Sequence, residues 1–330
     1  HISVSIHKLE YDNFNAFLSL LKLRGEAPID YYKWKYLATT TIALPRGFLA
    51  KVDNQFVGCI GIVPRLYSDQ NNLTFPATWF ADWFIIEEAR GKGIGKALIS
   101  EVASITPHGF GIPGTIPAQK LAAQVGYIST NKYNDHFYPI NPIRYGWTRG
   151  GGSIVNKFKR VFYYSFSFYK QQIGKKNKTI KLTYGFPDPD SWINKVESYL
   201  KNSPHLVRTN EYLNWLKVMP LHKQRQAHWW HFLEEDYGAL GIIQQDNWGL
   251  RRCRIIDSYG KVFQNPLVFL NILSNSMKEA KIDYLVVFGR NSQNVKSPNI
   301  SPVPLFYLLD NPGLIVTGID RENWWRDLRL

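Results

Sequence analysis

Cysteine is scarce in this sequence: Cys59 and Cys253 are the only two among 330 residues. Two thiols set among apolar neighbours give neither a disulfide framework nor metal-ligand spacing. Both read as small core fillers, which suits a reducing compartment, and the expected location is the cytoplasm. No apolar run reaches the roughly 18 residues needed to cross a bilayer, and the first residues lack the pattern of a secretory signal. Carboxylates are short as well, with 26 Asp and Glu against 40 Lys and Arg, a formal charge of +14. The deficit is concentrated: His136 to Pro187 holds no Asp or Glu and ten Lys or Arg. A surface of this sign gathers anions, so coenzyme A, nucleotide sugars, nucleic acid and anionic lipid all qualify and the sign narrows the partner only to a polyanion; among these no DNA partner is expected. His228 and His231 stand three apart without a Cys or third ligand nearby, so no metal is expected. No nucleophile elbow supports Ser-His-Asp chemistry.

What is present is ordinary globular composition, 45% hydrophobic and 20% charged, with 11 Trp. The length suggests two domains. Alternation marks a strand over residues 2–8, and Phe14, Phe17, Leu18 and Leu21 mark one face of a helix over 11–23. A second helix is expected over 30–37. Strands over 47–52 and 55–64 flank the hairpin turn Asp53-Asn54. A third strand, 77–86, runs into Arg90-Gly91-Lys92-Gly93-Ile94-Gly95. A helix follows, then a short strand at 110–112 and a helix over 117–125 that closes on Gly126.

Glycines between a strand and a helix let several backbone N–H groups converge on one anion, with the helix N-terminus behind them. A P-loop would need G-x-x-x-x-G-K-[ST], but Ala97 follows Gly95-Lys96 and no hydroxyl would meet magnesium. A Rossmann turn would need G-x-G-x-x-G after a βαβ opening, and a meander precedes this loop. Asp82-Trp83-Phe84-Ile85 through Arg90 to Leu98 instead resembles motif A of the GNAT N-acetyltransferases. Ala118 to Tyr127 is similar to their next motif. The resemblance covers roughly residues 2–140.

That resemblance implies a GNAT fold of the α/β (α+β) class, a mixed central sheet flanked by helices, and acetyl-CoA or another acyl-CoA as cofactor. It implies that Arg90, Gly91, Lys92, Gly93, Ile94, Gly95 and Lys96 cradle the pyrophosphate. Ile85 and Ile86 then meet the coenzyme at the strand's end, Ile85 through its backbone, and Thr115 stands where an Asn often contacts the pantetheine. The same resemblance makes Asp82 the strand acid. Among Trp79, Phe80, Trp83 and Phe84 an unpaired carboxylate would be costly, so Asp82 either faces the cleft, holding or deprotonating the acceptor ammonium, or pairs with a cation. Family members often protonate the leaving thiolate with a helix Tyr, but Ala122 occupies that place. Tyr133, His136 and Tyr138, on the next strand, are the candidates to replace it, and transfer without a dedicated acid is the alternative, since a thiolate is a tolerable leaving group.

The second half repeats the first weakly. Tyr32-Lys33-Trp34 has a counterpart in Leu213-Asn214-Trp215, Phe56 to Gly61 in Tyr237 to Gly241, and Asp82 in Asp257. Arg252 to Asp257 and Tyr284 to Phe288 read as strands, and Pro266 to Ala280 as a helix, with no glycine loop among them. The expected organisation is an acyltransferase domain at 1–145, a basic aromatic connection at 146–178 and a degenerate GNAT-like lobe at 179–330. In that lobe Trp215, Trp229 and Trp230 are candidates to wall an acceptor cleft. The tandem form resembles bacterial two-lobed GNAT proteins acting on amino sugars of surface polysaccharides. The implied function is N-acylation of a small-molecule or glycan-linked anionic amine. The alternatives are a FemAB-like aminoacyl transferase fed by aminoacyl-tRNA and a non-catalytic acyl-CoA-binding module.

Overall fold

The computed structural model describes residues 3–25, 28–38, 40–69, 71–106, 108–111, 115–130, 133–149, 152–172, 180–201, 205–221, 226–260, 266–290, 300–302 and 305–307. In chain order the first elements are β1 (Val4–Lys8), α1 (Phe14–Arg24), α2 (Ile29–Leu37), β2 (Gly47–Val52), β3 (Gln55–Ser68) and β4 (Thr74–Ile85). They continue through α3 (Ile94–Ile105), β5 (Gly109–Gly111), α4 (Ile116–Gln124), β6 (Ile128–Thr130), β7 (Tyr133–Pro139), α5 (Pro142–Thr148) and α6 (Ile154–Gln172). Next come β8 (Thr183–Tyr184), α7 (Pro189–Leu200), β9 (His205–Leu206), α8 (Asn210–Lys217), β10 (His228–Leu233) and β11 (Tyr237–Gln245). The last are β12 (Arg251–Gly260), α9 (Pro266–Glu279), β13 (Tyr284–Arg290), β14 (Ile300–Pro302) and β15 (Leu305–Tyr307).

The chain forms two compact units, His1–Asn131 with Lys201–Pro220 and Val303–Leu314, and Lys132–Leu200 with Leu221–Pro302 and Ile315–Leu330. The boundary therefore falls before β7, and the stretch expected to connect two lobes contributes the end of α5 and all of α6 to the second unit.

In the first unit the sheet runs β1-β2-β3-β4-β5-β15-β6, with β9 paired to β3. Asp53 and Asn54 turn the β2–β3 hairpin with φ of +45° and +66°, the left-handed pair that such a tight turn needs. One face packs Phe48, Ala50, Ile60, Ile62 and Phe80 against Ile94, Leu98, Ile99 and Val102 of α3 and Ala122 of α4. Each of those α3 side chains is at most 1% exposed, and burial of this kind contributes roughly 1.5–3 kcal/mol per side chain. Successive strand residues point to opposite faces, so Cys59 and Gly61 look toward α1 and α2, where Gly61 leaves room for the Tyr36 ring.

Within the second unit the order is β14-β7-β13-β12-β11-β10-β8, with a core that includes Trp230, Phe232, Ile243, Cys253, Ile255 and Leu285. As in the first unit, an antiparallel meander ends in a strand, β12, whose far side pairs in parallel, Arg252 to Arg254 against Tyr284 to Val286 of β13. Both sheets thus mix parallel and antiparallel pairing beneath helices, the mixed α/β architecture expected.

Candidate active site

The glycine loop sits between the end of β4 and the start of α3. Glu87–Ala89 form a single 3-10 turn that exposes Glu87 and Glu88 and buries Ala89. Gly91 and Gly93 both take φ of +78°, a conformation that costs residues with a Cβ energy. A Cβ at either position would meet nothing within 4 Å, so backbone shape requires these glycines and the space over them is open. Gly95 has a different reason: a Cβ there would lie 2.9 Å from Leu121 Cδ1 and 3.0 Å from Ile85 Cδ1. It lets α3 sit close to β4 and α4.

Gly93 is also the N-cap of α3, and no side chain caps the helix. The first bond at this end runs from Ala97 N–H to Gly93 C=O at 3.0 Å. The amides of Ile94, Gly95 and Lys96 are therefore the uncapped donors of the first turn, at the positive end of the helix dipole. Arg90, Lys92 and Lys96 are exposed around them, the first turn carries no acid, and Arg90 Nε donates to Ile85 C=O at 3.2 Å.

β4 is prepared for this loop by a bulge. Its pairing with β3 slips so that Asp82 and Trp83 together oppose Ile60, and Asp82 has φ of +49°. The additional residue changes the phase of the strand. Asp82 is thereby aimed at α1 and α2, and Trp83 and Ile85 at α3. Parallel pairing with β5 covers only Thr78 to Phe80, and no described strand pairs with Trp83 to Ile85 on that side. The Ile86 amide donates to Val57 C=O at 3.0 Å, so alternation turns the Ile85 N–H toward the open edge. Ile86 has both backbone groups engaged, because its carbonyl accepts from Ala89 N–H at 3.2 Å.

Asp82 does pair with cations. Its carboxylate accepts from Lys35 Nζ at 2.8 Å, Tyr36 Oη at 2.6 Å and Arg24 Nη1 at 3.2 Å. The Asp82 side chain is 9% exposed and that of Lys35 3%. Burial by itself would raise the carboxyl pKa, but Lys35 and Arg24, with the hydrogen bonds from Lys35 and Tyr36, hold it down at about 2. Neither Lys35 nor Arg24 was legible as a site residue. The available signal was their place in the last turns of two helices preceding a strand with a lone acid.

The sequence model of the acetyltransferase (GNAT) family matches residues 10–138. That segment is a GNAT acetyltransferase domain. Family membership makes it an acyl-CoA-dependent N-acyltransferase in kind. Solved structures share the fold of the chain. A GCN5-related N-acetyltransferase from Anabaena variabilis ATCC 29413 is 14% identical with a TM-score of 0.60, the match covering 92% of this chain and 72% of that one. N-myristoyltransferase of Saccharomyces cerevisiae with bound myristoyl-CoA is 13% identical, TM-score 0.56, covering 97% and 83%. Eis1 from Mycobacterium abscessus is 9% identical, TM-score 0.54, covering 92% and 73%. A search of curated proteins finds no match.

Within the GNAT domain Thr115 is exposed and caps α4, its hydroxyl accepting from Ala118 N–H at 3.4 Å. Ala122 is buried in the core. The domain's last strand, β7, lies in the second unit's sheet between β14 and β13. There Tyr138 is 1% exposed in the core, and burial pushes its hydroxyl pKa well up. The Tyr133 and His136 side chains lie outside the described residues. Of the tryptophans proposed for a cleft, Trp215 stacks on Trp34 of the GNAT domain at 4.3 Å and 11°. Each of these two indoles donates to the other's backbone carbonyl, at 2.6 and 3.0 Å. Trp229 and Trp230 are buried in the second unit at 7% and 0% exposure. Asp257 accepts from the Trp192 indole at 3.0 Å.

Proposed function

We propose that the chain transfers the acyl group of an acyl-CoA, acetyl-CoA in the simplest case, to a primary amine. The acceptor is a small or glycan-linked amine with negative charge, such as a nucleotide-linked amino sugar. One observation carries the reading: three uncapped amides stand behind two left-handed glycines, with Arg90, Lys92 and Lys96 around them and no carboxylate in the turn. Such a cradle suits a diphosphate. The formal charge of +14 supports the anionic character of the acceptor.

Acyl-CoA supplies the thioester. The amine attacks its carbonyl carbon, a C–N bond forms, the C–S bond breaks and the thiolate leaves. The Ile85 N–H, aimed at the open edge of β4, supports the reading that this amide donates to the carbonyl oxygen as charge develops there. A carboxyl held at about 2 is too weak a base to take a proton from an ammonium, so Asp82 acts by fixing the bulge. The amine reacts in its free form and its proton passes to solvent.

Calorimetric titration of coenzyme A into the wild type and Gly93→Glu tests the cradle. The expected result is binding to the wild type and at least about a hundredfold loss in the variant, where a carboxylate and a strained φ occupy the phosphate position. Equal affinity in a folded Gly93→Glu protein would overturn the assignment. Thiol release across a panel of acyl-CoAs and amines, nucleotide-linked amino sugars included, then identifies donor and acceptor.

A further inference from the structure

The stretch without carboxylates forms α5 and α6, and α6 is two-sided. Tyr164 packs against the core of Tyr145, Tyr284 and Val286, and Val161 lies against Gly146 of α5. The opposite side carries Ile154, Val155, Phe158, Phe162 and Phe166, which fall within an arc of about 120° at 3.6 residues per turn. These side chains face solvent: Phe162 is 75% exposed and Phe158 and Phe166 are each 61%. Trp147 of α5 extends the face, 5.5 Å edge-on from Phe158, and Phe162 stacks with Phe166 at 6.5 Å. An aromatic side chain offers roughly 150–250 Å², so four rings at such exposures present on the order of 500 Å². Ile143, Ile154 and Val155, all exposed, add to it. Contiguous apolar patches of that size mark interaction surfaces.

The charges beside this patch decide its partner. Lys157 lies over the Trp147 ring at 5.4 Å, Lys159 follows on the other flank, and residues 136–187 contain no acid to neutralise them. A second copy docking on the same face would bring cation against cation. The aliphatic Ile143, Ile154 and Val155 have no ring with which to stack a base, so nucleic acid would leave them unsatisfied. An interfacial helix, with rings in the acyl boundary and cations among anionic headgroups, satisfies every group. No helix among the described residues is long and apolar enough to cross a membrane. We propose that the aromatic face of α6, with Trp147 and Ile143, docks the protein on an anionic phospholipid surface, lying in the interface without spanning it.

Co-sedimentation of the full chain with phosphatidylcholine vesicles, with and without phosphatidylglycerol, tests the proposal. Binding is expected to need the anionic lipid and to weaken with salt. Phe158→Ser/Phe162→Ser/Phe166→Ser should lower partitioning roughly tenfold or more, and Lys157→Glu/Lys159→Glu about fivefold per residue changed. Phe158, Lys159, Phe162 and Phe166 are exposed and Lys157 is half-buried over Trp147; an unchanged melting temperature and coenzyme A affinity establish that each variant is folded. The proposal is overturned if anionic vesicles fail to pellet the wild type at low salt. It is equally overturned if the triple Phe variant binds as the wild type does, or if RNA binds more tightly than vesicles and is lost with the same substitutions.

Discussion

Asp82 is the residue at which local conformation, charge and chemistry meet. It accepts a left-handed backbone in mid-strand, and its carboxylate then neutralises part of the charge of Lys35 and Arg24. Lys35, 2% exposed, depends on that partner, since an unpaired buried ammonium is costly. Asp82→Asn is therefore expected to destabilise the protein by about 3 kcal/mol or more in urea unfolding. The double variant Asp82→Asn/Lys35→Met should be more stable than Asp82→Asn alone. The pH dependence has a definite sign. The folded pKa lies below the ordinary 3.8, at about 2, so the contribution of roughly 2 kcal/mol is complete above pH 4 and lost as pH falls through 2. Asp82→Asn should remove that part of the acid transition and leave the pH profile of kcat/KM between 5 and 8 unaltered. A limb near pH 6 or 7 that disappears in Asp82→Asn would restore the general-base role.

The elements of the GNAT domain were legible because their signals are local. Asp53-Asn54 fixes a hairpin, Gly93 ends a loop and starts a helix, and the spacing of Leu98 and Val102 marks the face of α3. The β4 bulge was not legible, since its extra residue is defined only against β3. Sequence alone leaves the pairing of Asp82 open for the same reason: its partners come from α1 and α2. Nor could α8 be assigned to the first unit from sequence, although the likeness of Leu213-Asn214-Trp215 to Tyr32-Lys33-Trp34 was visible. The reciprocal Trp34–Trp215 contact explains that likeness, each indole serving the other's backbone. Trp34→Ala and Trp215→Ala should each cost about 2–4 kcal/mol. In a double-mutant cycle their coupling should be about 1 kcal/mol or more. Strict additivity would mean that the stacked pair does not hold α8 in place.

On the scale of the whole chain, the two units repeat a plan with unequal equipment. Both have a bulged strand before the parallel pair, since β11 and β12 slip at Leu240 and Gly241 as β3 and β4 do at Cys59 and Gly61. After β4 come three glycines within five residues. After β12, residues 261–265 contain none, and α9 begins at Pro266. One coenzyme A per chain is the expected calorimetric stoichiometry, unchanged in Arg252→Ala, and two would mean that the second unit has a cradle of another design. The sheets also borrow their strands across the sequence. β7 follows the first unit's strands along the chain but pairs with β13, and β15, far downstream, pairs with β5 and β6. A gene divided after codon 145 would therefore leave both products incomplete, the first without β9, α8 and β15 and the second without β7. Neither fragment is a self-sufficient folding module, and activity should return only when both are produced together and reassemble.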